Sequence, residues 1–321
     1  MNVVKGKKYR IRIINTSVDS YFTVSMDGHP FTVITADFVP IKKWTTNQLT
    51  LAIGQRYDVV IEANQTVGNY WFRVQPATEC GGNSILTKGI QLGAVLHYDG
   101  AENADPAPST STVTLNTLCR DEATSSLVPF VPNQVPTDIV SQAGKIDLKS
   151  SQNTTTKLFR WLIDGTPHIV DWNNPTLETI LAGSQDFGIN SNVHSMQNKD
   201  AWYLWWIQST ATVQLAHPIH LHGHDYYILG SGTGVWDGST TGLNFNNPTR
   251  RDTATLPKNG YLLMAFPADN PGIMQFGERY SDLQGGSLGD RSGLKNGCDE
   301  WDQYWVAGNP NKPYEQTDSG I

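Results

Sequence analysis

The sequence predicts an all-β protein of two sandwich-type domains with a few short helices. Three observations carry that prediction. Short runs alternate apolar and polar residues, glycine-containing turn signals break them at short intervals, and no long stretch carries a helical period. Alternation puts one face of a strand on a core, and many short strands with regular turns pack as a sandwich or barrel. At 321 residues the chain is long enough for two domains of ordinary size.

Taken in order, Tyr9-Arg-Ile-Arg-Ile-Ile14, Phe31-Thr-Val-Ile-Thr35 and Arg56-Tyr-Asp-Val-Val-Ile-Glu62 alternate as strands, and Asp27-Gly28, Gly54-Gln55 and Gly68-Asn69 interrupt them. Residues 1–105 therefore read as a first domain. Residues 106–150 are rich in Pro, Ser, Thr and Asn, with Pro106-Ala-Pro-Ser-Thr110, Val128-Pro-Phe-Val-Pro132 and Val135-Pro136, and read as an extended connector on the surface. Residues 151–321 form the second domain, which opens on the strand Leu158-Phe-Arg-Trp-Leu-Ile163. A short helix is expected over Pro175–Leu181, with proline at its start and Gly183 past its end. Asp200–Gln208 is apolar on both faces and reads as a buried strand, as does Leu262–Phe266. In Cys298–Trp305, the stripe of Trp301, Tyr304 and Trp305 reads as core.

Composition narrows the function classes. Hydrophobic residues make up 38% and aromatics 10%, enough for sizeable cores. The 23 Lys and Arg against 30 Asp and Glu give a net charge of -7 with no basic cluster, which argues against nucleic acid and anionic membranes as partners. No apolar run approaches the roughly 20 residues of a membrane helix, and Met1-Asn-Val-Val-Lys-Gly6 lacks the apolar region of a signal peptide. Three cysteines without a C-x-x-C do not make a zinc framework. Asn15-Thr-Ser17, Asn64-Gln-Thr66 and Asn153-Thr-Thr155 are glycosylation sequons.

The chemistry concentrates in His217-Pro-Ile-His-Leu-His-Gly-His224, which holds four of the eight histidines. Imidazole is the commonest metal ligand near neutral pH. In an extended segment His220, His222 and His224 share one face, and Pro218 lets His217 turn to a different target. One strand can thus feed two metal sites. His29, His97, His168 and His194 stand alone in spacing and read as structural.

The run from His217 through Asp225 and Tyr226-Tyr-Ile-Leu-Gly230 closely resembles the third copper motif of multicopper oxidases, specifically ascomycete-type fungal laccases. Arg251-Asp-Thr253, Phe266-Pro-Ala-Asp-Asn-Pro-Gly272, Cys298-Asp-Glu-Trp301 and Asp318-Ser-Gly-Ile321 resemble the segments that follow. Ile13–Val18, Gly54–Asp58 and Asn69–Phe72 match the family's second domain. The resemblance implies two Greek-key cupredoxin-like β-sandwiches and copper as cofactor. It implies one-electron oxidation of phenols or aromatic amines coupled to reduction of O2 to water, in a secreted parent protein. Residue by residue, it gives His217 to a blue copper and His220 and His222 to a three-copper cluster, while His224 matches a position that is not a ligand. Asp19 alone reads as a solvated loop carboxylate; the resemblance makes it the catalytic acid that binds the phenol and accepts its proton.

The same resemblance leads us to expect an incomplete set of parts. The first-domain histidine motifs do not occur, and where H-C-H-x-x-x-H should follow Gly272 the chain reads Ile273-Met-Gln-Phe276, as though a segment were deleted. Without those donors the chain as written is expected to be inactive, its strands short of partners and its solubility poor. Cys80 and Cys119 could each be a buried thiol; in an oxidising compartment they suggest a disulfide pinning the connector, with Cys298 unpaired. Two alternatives stand beside the oxidase. One is a non-enzymatic, copper-poor cupredoxin relic or binding module. The other is a zinc hydrolase of the metallo-β-lactamase type, whose H-x-H-x-D-H is met here only with the last two residues reversed and without the helices that fold needs.

Overall fold

The computed structural model of the chain describes residues 1–18, 20–80, 92–106, 113–169, 176–184, 186–188, 191–194, 196 and 198–270. Asp19, the junction at 273–276, Cys298 and the aromatic stripe at 301–305 lie outside the described residues. The chain divides into two compact units, one of residues 1–145, 204–209 and 214–266, the other of 146–203, 210–213 and 267–321.

In the first unit, the amino-terminal strands are β1 (Asn2–Val3), β2 (Lys8–Ile14), β3 (Phe22–Met26), β4 (Phe31–Ala36), β5 (Val39–Thr46), β6 (Gln48–Leu51), β7 (Arg56–Glu62), β8 (Asn69–Pro76) and β9 (Leu92–Tyr98). They form a five-stranded sheet, β1-β9-β8-β3-β6, and a four-stranded sheet, β2-β7-β4-β5. The alternation read from the sequence is visible in β4, where Phe31 and Val33 are buried between half-buried Thr32 and Ile34. One core takes Val24, Leu49, Leu51 and Leu96 from the first sheet and Phe31, Val33, Val59 and Ile61 from the second. Each such side chain contributes about 1.5–3 kcal/mol on burial.

The connector is more firmly built in than its composition predicts. Lys42 and Phe130 donate backbone hydrogen bonds to Val128 and Pro40, and Leu127, Val135 and Ile139 are buried. Cys80 and Cys119 form the expected disulfide, with Cα atoms 5.0 Å apart.

Eight strand segments follow among the described residues. β10 (Gly144–Gln152) and β11 (Phe159–Ile163) form an antiparallel hairpin. After them come β12 (Trp202–Ser209), β13 (His217–His220), β14 (Tyr226–Thr233) and β15 (Thr249–Arg251). The last strands are β16 (Thr253–Leu256) and β17 (Gly260–Pro267). Within the first unit β12-β17-β14-β15 run side by side, and β13 pairs with β16. In the second unit the helix α1 spans Thr176–Leu181. It ends as the sequence predicts, Gly183 taking φ +74° while its N–H and that of Ser184 reach back to Ile180 and Thr179. This is the one α-helix among the described residues, which leaves the helix-rich hydrolase without support.

Candidate metal centre

The histidine run begins as a strand and stops being one halfway. β13 lies antiparallel to β16 with His217 opposite Leu256, Pro218 opposite Thr255 and His220 opposite Thr253. Pro218 has no N–H to give, and β16 is the strand β13 pairs with among the described residues, so one side of β13 bears no such demand. His217 and His220, three residues apart, point to opposite faces. His217 is half-buried and burial pushes its pKa down, whereas His220 is exposed.

Beyond Leu221 the expectation of one shared face fails. Gly223 takes φ +76° in a turn, so His222 stays exposed beside His220, their ring centroids 4.9 Å apart. His224 turns inward, 8% exposed, with its ring 5.5 Å from that of Phe266. The turn, permitted by glycine, splits the three histidines that alternation alone would have aligned.

The orientation of His220 comes from Asp252, the residue between β15 and β16 that belongs to neither. Its carbonyl lies 2.8 Å from His220 Nδ1 and also accepts the Leu221 N–H. Thr253 Oγ1 is 3.1 Å and Asp252 Oδ1 3.5 Å from the same nitrogen. A carbonyl only accepts, so Nδ1 carries the proton and Nε2 keeps its lone pair. The Asp252 carboxylate holds the His220 pKa above its ordinary value, against burial. Burial would raise the Asp252 carboxyl, but Arg56, His220 and Thr253 outweigh it and hold it far below the usual carboxylate range. Arg56 supplies a two-pronged grip, Nη1 to Oδ1 and Nη2 to Oδ2, each 2.6 Å.

Beneath this lies an ion pair that sequence reading missed. Arg251 and Asp37 are both fully buried, with Nε to Oδ2 at 2.8 Å and Nη2 to Oδ1 at 3.2 Å. Asp37 also accepts the N–H groups of Arg56 and Thr253, at 2.9 and 3.2 Å. Arg251 Nη1 reaches the Tyr57 hydroxyl at 3.2 Å. Asp37 and Phe38 form the two-residue turn between β4 and β5, at φ 46° and 68°, a geometry that favours Asn-Gly and is strained for Phe. The carboxylate's four hydrogen bonds hold it there. Asp121 adds a second brace from the connector, accepting from Thr255 N and Oγ1 at 2.8 and 2.6 Å and from Gln55 at 2.6 Å.

A cleft of about 630 Å³ opens here, with Phe38, Pro40, His220, His222, Arg250 and Asp252 among its walls. Two adjacent imidazoles, one with its Nε2 set free by a backbone carbonyl on Nδ1, fit the donor chemistry of copper. They fit as part of a ligand set: among the described residues no group of three or more His, Cys, Asp or Glu is arranged to hold a metal ion. His217 lies on the other face of the strand, where a separate ion would have to sit.

A β-sandwich carrying paired imidazoles at a strand end defines the class of site, a candidate metal seat on a β-sheet protein. The chain belongs to the multicopper oxidase family: models described as "Multicopper oxidase" match residues 1–101 and 168–276. It is 39% identical over 283 residues to Laccase-3 of Botryotinia fuckeliana, covering 84% of this chain and 61% of that protein. It is 35% identical over 353 residues to the laccase of Neurospora crassa, covering 100% and 55%. The solved laccase of Botrytis aclada superposes with a TM-score of 0.84 at 34% identity, covering 100% of this chain and 60% of that one. The chain thus spans little more than half the length of the curated laccases it matches.

Proposed function

We propose that this chain supplies the second and third cupredoxin-like domains, residues 1–105 and 151–321 joined by 106–150, of a laccase-type oxidase. In that reaction four phenols or aromatic amines each give up one electron and one proton, and O2 takes four of each to become two waters. Copper, when bound, supplies the one-electron steps. The chain's own residues supply its seat. His220 and His222 are donors toward the cluster and His217 toward the separate blue site. Asp19 takes the phenol proton as the electron leaves, which lowers the oxidation barrier. The parent protein is read as secreted. The single observation that supports this reading best is the His220–His222 pair, rings 4.9 Å apart at the edge of a cleft.

A second reading, a copper-poor binding module without oxidase activity, draws on the absence of a three-donor group among the described residues. Copper(II) titration with metal analysis of the purified chain tests both. On our reading the chain takes up copper without an intense blue colour and loses it in the His220→Ala/His222→Ala double variant. Copper uptake unaffected by that double substitution, or stoichiometric zinc with no copper uptake, would overturn the assignment.

A further inference from the structure

We propose that Arg56 is a positioning residue for His220: from a strand that carries no histidine, it determines which imidazole nitrogen is left to bind metal. The inference rests on the laccase-type reading only for the identity of that metal.

His220 takes its orientation from a main-chain carbonyl, that of Asp252 at 2.8 Å. That carbonyl belongs to a residue outside both neighbouring ladders: β15 ends at Arg251, paired with Tyr226, and β16 begins at Thr253, paired with His220. A residue at such a joint belongs to neither ladder, and the backbone bond its carbonyl accepts, from the Leu221 N–H, is a long 3.2 Å. Its side chain is fixed instead. Arg56 grips both carboxylate oxygens at 2.6 Å, and Thr253 Oγ1 donates to Oδ1 at 2.8 Å.

Arg56 is itself locked. Its Nη1 also donates to the Gly54 carbonyl at 2.9 Å, its guanidinium lies 4.6 Å above the Phe38 ring centre, and its side chain is 14% exposed. The chain of constraint therefore runs from guanidinium to carboxylate, through one residue to its own carbonyl, and then to Nδ1–H. A planar fork fixes a carboxylate in two directions at once, which an ammonium group cannot do. Without the fork, Asp252 can rotate, its carbonyl leaves the Nδ1–H line, and the Nε2–H tautomer, useless as a donor at Nε2, becomes populated.

The test reads the proton before any metal is added. Long-range 1H–15N spectra of the metal-free, full-length chain in mildly alkaline solution report the tautomer of each histidine. In the parent chain His220 should be Nδ1–H. His29 should be as well, since its Nδ1 faces the Asp27 carbonyl at 2.7 Å and its Nε2 the Tyr98 hydroxyl at 2.6 Å. Arg56→Met should shift His220 to a mixture while leaving His29 unchanged, so that His29 certifies the fold. Arg56→Lys should fall between the two, and it carries the measurement if the methionine variant does not fold. Copper(II) affinity should drop roughly 10–100-fold in Arg56→Met.

An unmoved His220 tautomer in both variants, with His29 intact, would overturn the proposal. The two readings fail separately. A tautomer shift in a chain that takes up no copper(II) sinks the copper assignment and keeps the role of Arg56. Copper uptake with an unmoved tautomer does the reverse.

Discussion

Replacing Asp37 should be among the most damaging single changes in the first unit. Its carboxylate accepts from Arg251 Nε and Nη2 and from the backbone N–H groups of Arg56 and Thr253. Asp37→Ala leaves the Arg251 charge without its hydrogen-bonded counter-ion in a site where neither partner touches water. Breaking a buried pair costs about 3–5 kcal/mol, and each orphaned buried N–H adds roughly 1–3 kcal/mol less whatever water recovers. Alanine also tolerates φ 46° less well than aspartate does. At least about 4 kcal/mol is expected, set against a total domain stability of about 5–15 kcal/mol. Replacing both partners by apolar residues, Asp37→Leu/Arg251→Met, removes the unpaired charge and should cost at least roughly 2 kcal/mol less than the sum of the single changes. Urea unfolding followed by tryptophan fluorescence measures all four corners of the cycle. Single changes costing under about 1 kcal/mol, or strictly additive costs, would refute the argument that the pair anchors this region.

Four further outcomes follow from the same geometry. Burial lowers the pKa of His29, outweighing the Asp27 carbonyl and carboxylate that raise it; the unfolded chain then binds the proton first, so its contribution is whole above about pH 6.5 and is lost as pH falls below it. His29→Gln should flatten that part of the stability–pH curve. Reducing the Cys80–Cys119 bond reopens a loop of 39 residues and should lower stability by roughly 4 kcal/mol in the chain-entropy account, measured as a drop in urea midpoint. Gly260→Ala would place a methyl 2.2 Å from the Gly232 carbonyl oxygen and 2.9 Å from Pro257, so β14 and β17 must part there at a cost of about 1–3 kcal/mol, seen in thermal unfolding. In a secretory host, glycan mapping should find sugar at the exposed Asn64 and Asn153 and none at Asn15, which is 7% exposed and donates through Nδ2 to Ser20 and Leu51.

What the sequence made legible was whatever depends on neighbours in the chain. β2, β4, β7, β11, β12 and β17 follow from local apolar patterns, and α1 from a proline before it and a glycine after it. The His220–His222 neighbourhood followed from spacing. His224 did not, because a period of two assumes continuing strand, whereas β13 ends at His220 and Gly223 turns the chain. Asp37 and Phe38 escaped notice for the opposite reason. Nothing in Ala-Asp-Phe-Val announces a tight hairpin, since the usual Asn-Gly is absent. The turn is held by Arg251, 214 positions later, a separation no local pattern can encode.

That separation also explains why the deep ion pair sits where it does. β13 has four residues, contains a proline and pairs along one side with β16 among the described residues. Such a strand has few ladder bonds to fix the direction of His220, so precision at the imidazole must come from β16 and from the joint at Asp252. Arg251, Asp252 and Thr253 are consecutive, and each is tied to the β4–β5 turn or to β7: Arg251 and the Thr253 N–H to Asp37, Asp252 to Arg56. Because Arg56 also donates its own N–H to Asp37 and holds its Nη1 3.6 Å from Asp37 Oδ1, the Asp37 carboxylate links the two ion pairs. Asp37→Asn, which retains an acceptor but no charge, should therefore loosen His220 as well as the core. It should broaden the His220 ring signals in the spectra that read the tautomer while the distant His29 stays sharp. A destabilised core with an unchanged His220 would show instead that the ion pair serves folding alone.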